Sequence, residues 1–260
     1  MPSLARLVLA LSLLAPVAAS AEVKTRLVEY RQAETVLEGF VAWDDTGPSK
    51  RPGVLVVHEW TGIDPYVRKR AEQLAAMGYV AFAADIYGKG VRPATPQEAG
   101  AEAGRYRSDR ALLRARVRAA LAELKRQPGV DGDRVAAIGY CFGGTTVLEL
   151  ARSGADLKGV VSFHGGLDTP TPGDARNVKA KVLALHGAED PYVPEAQVKA
   201  FEDEMRAGGV DWQLVKYSGA VHSFTNPASG NDASKGAAYD ARADRRSWEA
   251  MKVFLAELFR

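Results

Sequence analysis

The sequence predicts an α/β fold in which a mostly parallel central sheet of about seven to eight strands carries helices on both faces. Short continuous runs of apolar and β-branched residues recur along the chain, as expected for strands that are buried on both faces of a parallel sheet. Segments with helical periodicity separate these runs, and such alternation is typical of α/β proteins. Ligands of such folds bind at the carboxyl ends of the strands.

The predicted elements run from an N-terminal hairpin to a C-terminal helix. The segment VKTRLVEYRQAETVLEGFVAW alternates apolar and polar residues and predicts an edge hairpin. The predicted buried strands are RPGVLVVHEW, YVAFAAD, RVAAIGY, LKGVVSFHG, KVLALHG and WQLVKYSG. The predicted helices span 67–77, 108–127, 145–153, 195–207 and 240–259. Residues 88–108, rich in Gly, Pro and Ala, predict either a cap over the site or a long surface connection.

Composition and the N-terminus limit the function classes. A net charge of +2 on 260 residues gives no basic surface for nucleic acid or membrane, and we expect a monomer. The first 21 residues carry Arg6, a short apolar run and the pattern Ala19-Ser20-Ala21, which is typical of a secretory signal cleaved after Ala21. The expected product is a secreted or periplasmic protein with one domain over residues 22–260.

The single cysteine, Cys141, lies in the sequence GYCFGG. This matches Gly-x-nucleophile-x-Gly between a predicted strand and a predicted helix, which is the context that the motif requires. A helix N-terminus favours a thiolate, and the backbone N–H of Phe142 would be one donor of an oxyanion hole. The alternative is a buried structural cysteine.

A nucleophile of this kind needs a histidine base and an orienting carboxylate, which follow it in the order nucleophile, acid, histidine. LALHGAEDPYVP places Asp190 after a strand, with Glu189 as its competitor, and Asp190 also suits a simple turn before proline. Only His222 follows Asp190, so it is the predicted base. The other histidines also lie at strand ends; we expect His164 to cap its strand and His186 to shape the loop of Asp190.

Glu59 and Trp60 follow the first buried strand, in VVHEWTG. This loop supplies the second oxyanion donor in folds of this kind. A carboxylate there would repel the developing negative charge, so Glu59 either points away or has another task.

The segments VVHEWTGI, ADIYGKG, IGYCFGG, VLALHGAEDPYVP and YSGAVHSFTNP together resemble the dienelactone hydrolase family, the carboxymethylenebutenolidase-like branch of the α/β hydrolases. The resemblance covers nearly the whole chain after the signal. It implies Cys141 as nucleophile, His222 as base and Asp190 as orienting acid, with the N–H groups of Trp60 and Phe142 holding the oxyanion. It also implies that Glu59 contacts the resting thiol and helps to deprotonate it when substrate binds.

The chain departs from that family at two substrate-binding positions. Members that act on dienelactone carry arginines there, whereas this sequence has Lys89 and Asn226. Lysine attracts a carboxylate but cannot make the two parallel hydrogen bonds that arginine makes, and asparagine adds no charge. Dienelactone is therefore not the expected substrate, although both residues remain candidate substrate contacts.

The sequence thus predicts a hydrolase that opens a small ester or lactone through an acyl-cysteine intermediate. We expect no cofactor, and no metal because no pair of histidines or cysteines has ligand spacing on one element. A binding or redox-sensing protein on the same scaffold is the alternative from another class. A peptidase-like acyl hydrolase is a third interpretation.

Overall fold

A computed structural model describes residues 22–260, and these build one eight-stranded sheet. The predicted signal peptide lies outside the described residues. Each predicted strand is present, and the predicted hairpin forms the first two strands. The strands are β1 (Val23–Gln32), β2 (Thr35–Asp44), β3 (Arg51–Val57), β4 (Val80–Ala84), β5 (Val130–Tyr140), β6 (Gly159–Phe163), β7 (Lys181–Gly187) and β8 (Trp212–Tyr217).

Helices cover both faces of the sheet, which confirms the predicted fold class. Side chains alternate along β5, so Val135 and Ala137 join one core while Ala136 and Ile138 join the other. The helices are α1 (Pro65–Ala76), α2 (Pro96–Ser108), α3 (Arg110–Arg126), α4 (Phe142–Arg152), α5 (Glu195–Gly208) and α6 (Ala241–Leu258). The first core is closed by α2, α3, α4 and α5, and the second by α1 and α6.

The strand order β1-β2-β4-β3-β5-β6-β7-β8 explains where a ligand can bind. Strands β3 to β8 are parallel, and β1 and β2 are antiparallel at one edge. From β3 the chain proceeds to β4 on one side and then to β5 on the other. Such a switch point leaves a crevice beyond the carboxyl ends of the strands, here beyond β3 and β5.

The glycine- and proline-rich segment 88–108, for which a cap and a long surface connection were the two predictions, is not a loop throughout, because residues 96–108 of it form α2. The Thr95 side chain accepts the N–H of Glu98, and the Glu98 side chain accepts the N–H of Thr95, so the helix begins with a complete capping box. The Thr-Pro-Gln-Glu sequence carried this signal.

The described residues contain no helix that is both long and apolar enough to cross a membrane.

Candidate active site

Cys141 lies on a strained turn between β5 and α4. Its backbone has φ of +52° and ψ of −111°, a conformation that a residue with a side chain adopts only when its surroundings enforce it. The flanking glycines are required by close packing. A Cβ at Gly139 would lie 2.0 Å from the Gly143 carbonyl oxygen, and one at Gly143 would lie 2.3 Å from the Val57 oxygen.

The structure brings three of the predicted site residues into one hydrogen-bonded chain. His222 Nε2 lies 3.1 Å from Cys141 Sγ, and His222 Nδ1 lies 2.7 Å from Asp190 Oδ2. Asp190 is buried, whereas its competitor Glu189 is exposed and does not take this position. The three side chains come from the segments that follow β5, β7 and β8, so the sheet itself sets their separation.

The charges around His222 favour its protonated form. Burial alone would lower the pKa of His222, but the Cys141 sulfur and the Asp190 carboxylate outweigh it and raise that pKa to about 10. The site can therefore hold an imidazolium against the Cys141 sulfur at neutral pH.

The remaining histidines are neutral and buried. The N–H of Cys141 donates to His164 Nδ1 at 3.2 Å, and His164 Nε2 donates to Thr225 Oγ1 at 2.7 Å. His164 thus braces the backbone of Cys141 as well as ending its own strand. His58 accepts the N–H of Ile86. Burial lowers the pKa of His58, His164 and His186.

Glu59 is buried just after β3, and each of its carboxylate oxygens accepts a hydrogen bond. Ser223 Oγ donates to Glu59 Oε1 at 3.0 Å, and Asn226 Nδ2 donates to Oε2. Burial raises the pKa of Glu59 despite these two donors. The expected contact between Glu59 and the resting thiol is thus replaced by the contact of the sulfur with His222. Asn226, predicted to bind substrate, lines the cavity beside Cys141 and also donates to Glu59; Ser223 was not predicted.

The two predicted oxyanion donors belong to residues that follow neighbouring, paired strands. Phe142 is the first residue of α4, so its N–H has no acceptor within the helix. Trp60 follows β3, the strand that pairs with β5. Trp60 and Cys141 line the same cavity.

A cavity of about 660 Å³ opens above these residues and contains Cys141 and His222 in its wall. Lys89 is not part of that wall. Its ammonium pairs with Glu29 on the hairpin and lies 3.9 Å from Glu38, so the prediction that Lys89 binds substrate is corrected. The arginine that does line the cavity is Arg107, near the end of α2. Sequence reasoning missed it because α2 was not predicted.

Comparisons with known proteins agree with this architecture. A sequence model described as the dienelactone hydrolase family matches residues 37–259. A putative carboxymethylenebutenolidase of Synechocystis is 29% identical over 253 residues, covering 91% of this chain and 98% of the relative. Among solved structures, one titled m3DLH is 44% identical with a TM-score of 0.88, and covers 92% of this chain and 99% of its own. A dienelactone hydrolase-like promiscuous phosphotriesterase, P91, from metagenomic libraries is 43% identical with a TM-score of 0.87 and the same coverage.

Proposed function

The chain belongs to the dienelactone hydrolase family and is an ester or lactone hydrolase, and we propose that it works through an acyl-cysteine intermediate formed on Cys141. The observation that carries this proposal is the chain of contacts from Asp190 through His222 to the sulfur. A carboxylate, an imidazole and a nucleophile in this arrangement form the triad that acyl transfer uses.

In the proposed first half-reaction, the Cys141 sulfur bonds to the carbonyl carbon of the substrate. The N–H groups of Trp60 and Phe142 stabilise the oxyanion. The bond from carbon to the leaving oxygen then breaks, and the His222 imidazolium gives that oxygen its proton. Water next attacks the thioester while His222 takes a proton from it, and the thiolate leaves. Strained lactones and activated esters fit best, because a thioester is less stable than the ester from which it forms.

The acyl-enzyme should be visible by mass spectrometry. We expect acid quenching during turnover of p-nitrophenyl pivalate, whose bulky acyl group slows attack by water, to give a mass gain equal to one acyl group on the peptide that contains Cys141. Simple lactones and an aryl phosphotriester belong in the same panel, since one relative is described as a phosphotriesterase.

Cys141→Ala serves as the control for this experiment and should show neither the adduct nor turnover. Hydrolysis by the native chain with the acyl group on another residue, or with no adduct during a pre-steady-state burst, would contradict the acyl-cysteine mechanism.

The proposed role of Glu59 is to control the protonation of the thiol, since it is a buried carboxylate beside the same cavity. Glu59→Gln removes the charge while keeping a side chain that Ser223 can still bond. We expect the pH profile of Cys141 alkylation by iodoacetamide to shift in this variant. Ser223→Ala is the matched control, because it removes one donor and keeps the carboxylate. An unchanged profile in Glu59→Gln would show that Glu59 does not control the thiol.

A further inference from the structure

We propose that the side chains of Trp60 and Tyr192 are two binding positions for an aryl group of the substrate, one on each side of Cys141. This proposal rests on the proposed function, because it names the class of ester that the site accepts: one with a planar aromatic group next to the reacting carbonyl or on the leaving oxygen. The backbone N–H of Trp60 has a separate role at the oxyanion.

Both rings are partly exposed to solvent, and a ligand that covered them would bury apolar surface that folding leaves exposed. Trp60 is 37% exposed and Tyr192 is 59% exposed, and both line the cavity that contains Cys141 and His222. Isolated exposed apolar residues are ordinary, but two large aromatic rings in the wall of one cavity are typical of a ligand site.

The sheet places the two rings on opposite sides of the nucleophile. Trp60 follows β3 and Tyr192 follows β7, whereas Cys141 follows β5, which lies between these strands in the sheet. A group attached to the reacting carbonyl or to its leaving oxygen therefore extends towards one of the two rings.

Tyr192 is held in place without a ligand. Its N–H donates to Asp190 Oδ1 at 2.9 Å and its hydroxyl donates to the Lys235 carbonyl oxygen at 3.2 Å. Its ring stands edge-on to that of His222, with centroids 5.4 Å apart and an interplanar angle of 87°. The tyrosine ring thus lies beside the imidazole that protonates the leaving oxygen.

Trp60 is supported by α2 and by a neighbouring tyrosine. Its carbonyl oxygen accepts the Tyr87 hydroxyl at 3.0 Å, and a Cβ on Gly100 of α2 would lie 3.9 Å from Trp60 Cζ3. The indole therefore rests against a helix surface that has no side chain at that point. Rings that are ordered before binding lose little entropy when a flat ligand stacks on them, and aromatic pairs prefer offset-stacked or edge-on contacts.

The test compares 2-naphthyl acetate with ethyl acetate, which share the acetyl group. In Tyr192→Leu, the ratio of kcat/KM for the naphthyl ester to that for the ethyl ester should fall about tenfold, mainly through KM, because the ring beside the leaving oxygen is lost. In Trp60→Leu, the same fall is expected in the ratio for ethyl 2-naphthoate, whose aryl group lies on the acyl side, to that for ethyl acetate. Tyr192→Phe, which keeps the ring, should retain the native ratio. Val253→Ala removes an exposed apolar side chain from α6, outside the cavity wall, and should leave the ratio unchanged. Equal losses for the aryl ester and for ethyl acetate would overturn the proposal.

A binding measurement separates this proposal from the proposed function. We expect 2-naphthol, the leaving group of the naphthyl ester, to bind the native chain and to bind Tyr192→Leu about tenfold more weakly, as measured by calorimetry. If the naphthol binds in this way but no ester is hydrolysed, the aryl site stands and the mechanism fails. If esters are hydrolysed but naphthol binding is equal in the native chain and in Tyr192→Leu, the aryl site is wrong.

Discussion

Replacing Cys141 with alanine should lower kcat/KM for ester or lactone hydrolysis by at least about 10⁴-fold, equivalent to about 5.5 kcal/mol of transition-state stabilisation. The reason is geometric as well as chemical. The sulfur belongs to a residue that lines the cavity and has a positive φ, and it lies 3.1 Å from His222 Nε2. Only the oxyanion donors and substrate binding would then remain to accelerate the reaction.

His222→Ala should cause a loss of similar size, because the thiol then lacks its imidazolium partner. The double variant should be little worse than either single variant, since residues that act as one unit lose their effect together. Steady-state kinetics with a common p-nitrophenyl ester measures all three.

Folding must be checked before these losses are assigned to chemistry. Cys141→Ser is the matched control, because it preserves the size and the polarity of the side chain on the same strained turn. All variants should keep the native midpoint of thermal unfolding within a few degrees. Activity that survives both Cys141→Ala and His222→Ala would refute the mechanism.

Much of the fold could be predicted from the sequence because parallel strands are buried on both faces. Such strands must be continuously apolar, so segments such as KVLALHG are visible without any knowledge of their neighbours. Asp190 and His222 could be chosen because the order of the residues along the chain, rather than their distance, decides the choice.

What the sequence could not predict depends on side-chain direction and long-range contacts. Lys89 follows a motif that matches the family, but its N–H donates to the Val36 carbonyl oxygen, which ties this residue to the hairpin and turns it away from the cavity. The pairing of Glu59 with Ser223 joins residues 164 positions apart. No local sequence pattern predicts a contact between residues so far apart in the chain.

The α2 segment was missed for a different reason. Glycine and proline lower the helix propensity of this segment and alanine raises it, so the composition does not decide whether a helix forms. The capping box at the N-terminus is a local signal that composition does not show. Arg107 was consequently not considered, although it is the single lysine or arginine in the wall of the cavity.

Replacing Arg152 with methionine should destabilise the protein by about 3 to 5 kcal/mol, because it leaves buried carboxylates without their cationic partner. Arg152 is only 1% exposed. Its guanidinium donates to both carboxylate oxygens of Glu204, at 2.8 and 2.7 Å, and to Glu149 at 3.1 Å. Glu149 keeps a second partner in Arg114, so the loss falls mainly on Glu204. Urea denaturation of the purified protein measures the change in the free energy of unfolding.

Two further variants show whether the unpaired buried carboxylate causes the loss of stability. Combining Arg152→Met with Glu204→Met should recover part of the lost stability, since it removes the uncompensated carboxylate. Lys199→Met breaks an exposed pair with Asp203 and should change the free energy of unfolding by no more than about 0.5 kcal/mol. A loss below about 1 kcal/mol in Arg152→Met would contradict this account of buried charge.

The same substitution should also affect the active site, because Arg152 supports a loop of the cavity wall. Its Nη2 donates to the Leu167 carbonyl oxygen at 2.9 Å, and Gly166 and Asp168, on either side of Leu167, line the cavity. With that donor gone, the loop loses a fixed position while Cys141 and His222 keep their own contacts. At a temperature where the variant remains folded, KM should therefore rise more than kcat falls, whereas global unfolding alone would lower kcat and leave KM unchanged.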